Sequence, residues 1–126
     1  MMSIEERLEF FRVAWREKDV EATLGCFTEN GVYAASVGPE PGTRAEGKPA
    51  IRKLLEKMFD FDAGSEAIIE DKVLMTDAAY WKWRYERPDG KTVLGCDFFL
   101  FEGDRIALKD AFRKQFYGGL AARAHL

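Results

Sequence analysis

Apolar residues recur at helical spacing through the first part of the chain and at every second position through the second half. Ile4, Leu8, Phe11 and Trp15 lie on one helical face, and Ser3 with Glu6 supplies a capping-box pattern ahead of them. This predicts a first helix of about four turns. Asp19 caps a short second helix in which Val20, Leu24 and Phe27 share a side. A short strand is expected from Gly31 to Val37, followed by a loop at Gly38-Pro39-Glu40-Pro41-Gly42. Pro49 suits the first turn of a third helix, whose apolar stripe is Ile51, Leu54, Leu55, Met58 and Phe59. From Ser65 onward the period is two. Strands are expected at 66–76, 78–87, 91–102 and 105–116, with turns at Thr76-Asp77, Pro88-Asp89-Gly90 and Gly103-Asp104.

These elements compose one α+β domain over residues 1–126: three N-terminal helices packed on a strongly curved sheet, a four-strand meander plus the early strand. The concave side is expected to form a cone-shaped apolar pocket. Cys96, Phe98, Leu100, Ala107 and Ala111 fall on the other face of the sheet. Helices cover only one face, so the outer one is expected to be buried in a homodimer.

Strand alternation also places candidate chemistry. Asp97 shares a face with Gly95, Phe99 and Phe101; Asp110 shares one with Ile106, Leu108 and Phe112. A two-residue Gly103-Asp104 hairpin pairs Glu102 with Arg105 and, counted back without interruption, sets Asp97 opposite Asp110. Two carboxylates so close on an apolar face should not both ionise, leaving one as a proton donor near neutral pH. Lys109 and Arg113 point outward in this register. At the preceding hairpin, Pro88 has no N–H for a two-residue loop, and Pro-Asp-Gly suits a type I turn ending in a left-handed glycine. That three-residue loop pairs Arg87 with Lys91, sets Trp81 beside Asp97, and leaves Lys82 outside. The remaining pocket candidates are Phe11, Trp15, Tyr33, Met58, Phe59, Trp83, Phe99 and Phe112, with core packing as the ordinary alternative for most of them.

Composition narrows the function classes. Nineteen basic against twenty-two acidic residues give a formal charge of −3, with no basic block, so no nucleic-acid partner is expected. No apolar run approaches a membrane span and no signal pattern opens the chain, which therefore reads as soluble and cytoplasmic. Cys26 and Cys96 form no CxxC pair and read as reduced core residues. His125, the only histidine, lies beside the C-terminus, so neither a His-activated nucleophile nor a His-built metal site is expected.

The segments WREKDVEATLGCFTENGVY, EGKPAIRKLLEKMF and CDFFLFEGDRIALKDAF, in this order, resemble the nuclear transport factor 2-like superfamily. That superfamily includes SnoaL-like polyketide cyclases, ketosteroid isomerase and limonene epoxide hydrolase. The resemblance covers nearly the whole chain and implies a cystatin-like α+β barrel, commonly dimeric. Aligned on CDFFLFEGDRI, Asp97 falls where ketosteroid isomerase carries its protonated oxyanion-hole aspartate. The position of that enzyme's base falls at Ala35 and its oxyanion tyrosine at Phe11, so steroid isomerase chemistry of that type is not expected. Lys109-Asp110-Ala111-Phe112 looks like the region of the last catalytic aspartate of the epoxide hydrolases, whose triad is not cleanly reproduced.

The expected function is binding of a small, largely apolar, carbonyl- or ring-containing molecule. Asp97 with Asp110 would move a proton in isomerisation, cyclisation or dehydration, with no metal or organic cofactor. The alternatives are a non-catalytic binding or dimeric accessory domain, and epoxide hydrolysis with Asp110 activating water and Lys82 turned in beside Asp97.

Overall fold

The computed structural model describes residues 2–115. Three helices precede and interrupt a six-stranded sheet: α1 (Ile4–Arg16), α2 (Val20–Leu24), β1 (Phe27–Ala34), β2 (Arg44–Glu46), α3 (Lys48–Phe61), β3 (Glu66–Leu74), β4 (Ala78–Glu86), β5 (Thr92–Glu102) and β6 (Arg105–Arg113). Ser3 Oγ accepts from the Glu6 amide and Glu6 Oε1 accepts from the Ser3 amide, both at 3.1 Å, so the first helix starts where its capping box requires. The Asp19 carboxylate accepts from the Ala22 amide at 3.0 Å and caps α2. Gly47, at φ 83°, turns the chain into α3, with Pro49 in the first turn. Cys26 lies in the turn after α2 and is buried. His125 lies outside the described residues.

The strand order is β2-β1-β6-β5-β4-β3, with β1 parallel to β6 and every other pair antiparallel. The sheet is mixed and not closed, with β2 and β3 at its edges. Strand β1 starts at Phe27, earlier than the alternation pattern suggests, and the three-residue β2 carries too few positions to show a period. Helix α1 reaches β3 at one end of the sheet, while α3 packs on β1 and β2 at the other. Leu8, Phe11, Phe27, Tyr33, Ile51, Leu55, Phe99 and Ile106, all buried, form the centre between helices and sheet.

Two hairpin registers decide what faces that centre. The Pro88–Gly90 loop takes the three-residue form: the Arg87 amide donates to the Lys91 carbonyl at 3.0 Å, and Gly90 is left-handed at φ 84°. Trp81 is therefore opposite Asp97, and Lys82 is opposite Cys96 on the outer face. The Gly103-Asp104 hairpin also opens as expected, with Glu102 paired to Arg105 and Phe101 to Ile106. It then departs from strict alternation. Leu100 pairs with Leu108, so Ala107 is an extra residue, a β-bulge.

One residue of slip exchanges the faces of everything beyond it. Asp97 stands opposite Ala111, not Asp110; Asp110 pairs with Phe98, and Phe112 with Cys96, both on the outer face. Lys109, Ala111 and Arg113 turn inward instead. The pairing of Asp97 with Asp110 and the placing of Phe112 in the pocket are thus both corrected by Ala107. Ala111 leaves the expected outer patch for the same reason. The bulge coincides with one in β1, which pairs at Phe27–Ile106 and next at Val32–Leu108.

Candidate functional site

The concave side of the sheet and helices α1 and α3 enclose a narrow cavity of about 30 Å³. Its walls are Phe11 and Trp15 from α1, Met58 from α3, Tyr33 from β1 and Trp81, Trp83 and Tyr85 from β4. These are positions of one helical stripe and of alternate strand residues, so the aromatic wall is a direct product of the two periods. Half-buried Arg12, Ser36, Ala67, Ile69, Ala111 and Arg113 complete the lining. Phe59 and Phe99 stand behind the wall: Phe59 meets Trp15 edge-on at 5.0 Å between centroids, and Phe99 meets Trp81 edge-on at 5.0 Å. Gly95, opposite Trp83, is there because a Cβ would collide with the indole ring and with the Phe112 carbonyl oxygen.

Two charged side chains sit in this aromatic box. Asp97 is 4 % exposed and Lys109 3 % exposed. Lys109 Nζ donates to Asp97 Oδ1 at 3.3 Å, and Trp81 Nε1 donates to Asp97 Oδ2 at 2.7 Å. The ammonium also lies 4.5 Å from the centroid of the Trp15 ring and 4.3 Å from that of Tyr33. Burial lowers the Lys109 pKa from its ordinary value, and the neighbouring Asp97 carboxylate opposes part of that shift. Burial likewise pushes the Tyr33 and Tyr85 hydroxyls up, Tyr33 with a further push from Asp97 and Tyr85 from Asp62. Tyr85 Oη accepts from Trp15 Nε1 at 2.5 Å, so this indole N–H is satisfied inside the wall. At the rim, the Arg113 guanidinium lies 5.8 Å from the Trp83 ring centroid and donates to Ser36 Oγ at 3.4 Å.

Of the side chains the sequence pattern nominates, Asp97, Phe11, Trp15, Tyr33, Met58, Trp81 and Trp83 come together around the cavity. Phe59 and Phe99 are buried without lining it, Asp110 is half-buried on the outer face, and Phe112 is 55 % exposed there. Lys109 is the functional candidate that alternation misses. The available signal was the like-charge pairing that unbroken counting produced, with a cation one residue away from relieving it. Lys82 and Asp110 both lie outside, so the arrangement needed for the epoxide-hydrolase alternative is not assembled; Lys82 Nζ instead lies 3.8 Å from Asp71. Among the described residues, no group of three or more His, Cys, Asp and Glu side chains is placed to hold a metal ion, and no helix is long and apolar enough to cross a membrane.

A three-helix cap over an open, mixed sheet whose concave side holds the candidate chemistry defines the nuclear transport factor 2-like class of α+β folds. Within it the chain belongs to the SnoaL-like domain family, whose model matches residues 8–109. A nuclear transport factor 2-like protein of unknown function from Mesorhizobium loti superposes with a TM-score of 0.77 at 25 % identity, covering 89 % of this chain and 91 % of that one. A candidate polyketide cyclase from Sinorhizobium meliloti gives 0.73 at 18 % identity, covering 87 % and 99 %. A candidate ketosteroid isomerase from Kribbella flavida gives 0.78 at 12 % identity, covering 98 % and 86 %. The last two show the shared fold. No curated protein matches the chain.

Proposed function

We propose that this protein binds a small, largely apolar carbonyl compound in the aromatic cavity and moves a proton on it, with Asp97 as the acid/base. The observation that carries this reading is the Asp97–Lys109 pair, buried where apolar packing would serve stability as well. Replacing a buried ion pair by well-packed apolar groups is often neutral or stabilising, so packing alone gives little reason to keep it. A carbonyl oxygen in the cavity would accept from the Lys109 ammonium, which polarises the C=O bond. Asp97, anchored by the Trp81 N–H, then takes or returns the proton on the adjacent carbon. Aromatic walls exclude water, so both groups act in a low dielectric. At about 30 Å³ the cavity is smaller than a ring-containing ligand, so such a ligand enters with Met58, Arg12 or Arg113 swung aside. The second reading is a non-catalytic binding domain, in which the same cavity takes a ligand without proton transfer.

All three tryptophans, Trp15, Trp81 and Trp83, line the cavity, so ligand binding is readable as a change in tryptophan fluorescence. The deciding experiment follows α-hydrogen exchange of small ketones and aldehydes by NMR in heavy water, for the wild type and Asp97→Asn. Proton transfer by Asp97 predicts exchange that falls about 10²–10⁴-fold in the variant. Binding without exchange in the wild type would leave the non-catalytic reading standing.

We propose further that a second copy of the chain covers the outer sheet face, where Leu100 and Phe112 are 40 % and 55 % exposed. Half-buried Leu94, Cys96 and Phe98 lie on the same strand as Leu100.

A further inference from the structure

Lys109 has a feature that polarising a carbonyl does not need. A primary amine is held inside an aromatic box, with a carboxylate at 3.3 Å as its only polar partner among the described residues. The rings of Trp15 and Tyr33 flank the same nitrogen, with centroids at 4.5 and 4.3 Å. Among the described residues, nothing polar other than Asp97 would have to be displaced for the nitrogen to react. We infer that Lys109 is a covalent site for aldehydes and ketones, forming a Schiff base through Nζ with Asp97 as its proton relay; the inference rests on the carbonyl-binding reading above.

The step balances within the pair. Lys109 passes one Nζ proton to Asp97, leaving a neutral amine beside a neutral acid. The nitrogen lone pair forms the N–C bond as the carbonyl π pair moves to oxygen, and a second Nζ proton transfers to that oxygen, giving a carbinolamine. Asp97 returns its proton to the hydroxyl, the C–O bond breaks, and water leaves as the nitrogen pair closes the C=N bond. The iminium keeps one hydrogen and one positive charge, so the pair has the same net charge before and after. The product suits the box. A planar cation takes the place of the ammonium over the Trp15 and Tyr33 faces, and Asp97 is left as a carboxylate beside carbon atoms made acidic by the C=N⁺ group. Burial, which lowers the Lys109 pKa, works in the same direction by favouring the reactive neutral amine.

The test uses the intact chain at neutral pH with acetaldehyde as probe and cyanoborohydride as the hydride donor that reduces the iminium, followed by peptide mapping. Lys109 is expected to acquire the N-ethyl group at least tenfold faster than the exposed Lys53, Lys57 and Lys91. In urea that preference should vanish, which requires no variant to fold. Asp97→Asn should slow labelling of Lys109 while leaving the surface lysines unchanged, and Lys109→Arg should remove the fast site alone. Labelling of Lys109 no faster than the surface lysines overturns the inference. In that case tryptophan fluorescence measured in the same titration separates two failures. A change with acetaldehyde leaves the carbonyl-binding reading standing without the covalent step, and no change counts against both.

Discussion

Asp62 closes α3 with one buried carboxylate oxygen, Oδ2, that finds no donor among the described residues, while Oδ1 lies 3.7 Å from Arg87 Nη1. Burial raises its pKa, with Arg113 and Arg87 opposing, and the negative end of the helix dipole adds to the cost of its charge. Asp62→Asn is therefore expected to stabilise the protein by about 1 kcal/mol at neutral pH, read from the urea midpoint. A loss of stability would show that the Arg87 contact outweighs desolvation. The buried tyrosines make a different prediction. For an acid whose folded pKa is raised, the unfolded chain releases its proton first. Above the ordinary tyrosine value of 10.0 the unfolded state thus binds fewer protons, and stability falls as pH rises. Lys109 has the opposite sign: its lowered pKa leaves the unfolded chain holding the proton longer, so its contribution to stability grows as pH climbs towards 10.5. In an alkaline titration the Tyr33 and Tyr85 phenolate absorbance should appear only with unfolding. Full phenolate absorbance in a folded protein would refute that placement.

At the scale of elements, what could be read from the chain depended on whether a period ran unbroken. The stripe Phe11-Trp15 and the alternation of Trp81, Trp83 and Tyr85 place the aromatic wall because neither helix nor strand is interrupted between them. The Pro88-Asp89-Gly90 loop was legible because proline lacks a donor and glycine accepts a left-handed conformation. A bulge leaves no such mark. Ala107 is an unremarkable residue, and it is tertiary pairing with β1 and β5 that accommodates it. Strict alternation therefore puts every side chain from Leu108 to Arg113 on the wrong face, Lys109 among them. Deleting Ala107 tests this directly. Strict alternation would return Asp110 to the cavity opposite Asp97 and expel Lys109, leaving buried acids without their cation. A loss of about 3–5 kcal/mol is expected by analogy with breaking a buried ion pair, measured by denaturant unfolding. A midpoint equal to that of the wild type would show that the bulge does not set the register.

For the whole molecule, the sheet separates two surfaces of different character: an aromatic interior around the Asp97–Lys109 ion pair, and an outer face with large apolar groups in reach of solvent. If a second copy covers that face, as proposed, light scattering at micromolar concentration gives the mass of a dimer, and Phe112→Lys with Leu100→Lys gives monomers whose interior ion pair is intact. A monomeric wild type would remove the proposal. The Ala107 bulge ties these two surfaces together. The six residues after it behave like text in a reading frame: gain or lose one position in this hairpin, and the side chains offered to a ligand trade places with those offered to a partner. A single codon inserted or deleted would thus change the chemistry of both faces at once, more than any one substitution could, and related chains aligned without a gap at that position would be credited with each other's pocket residues.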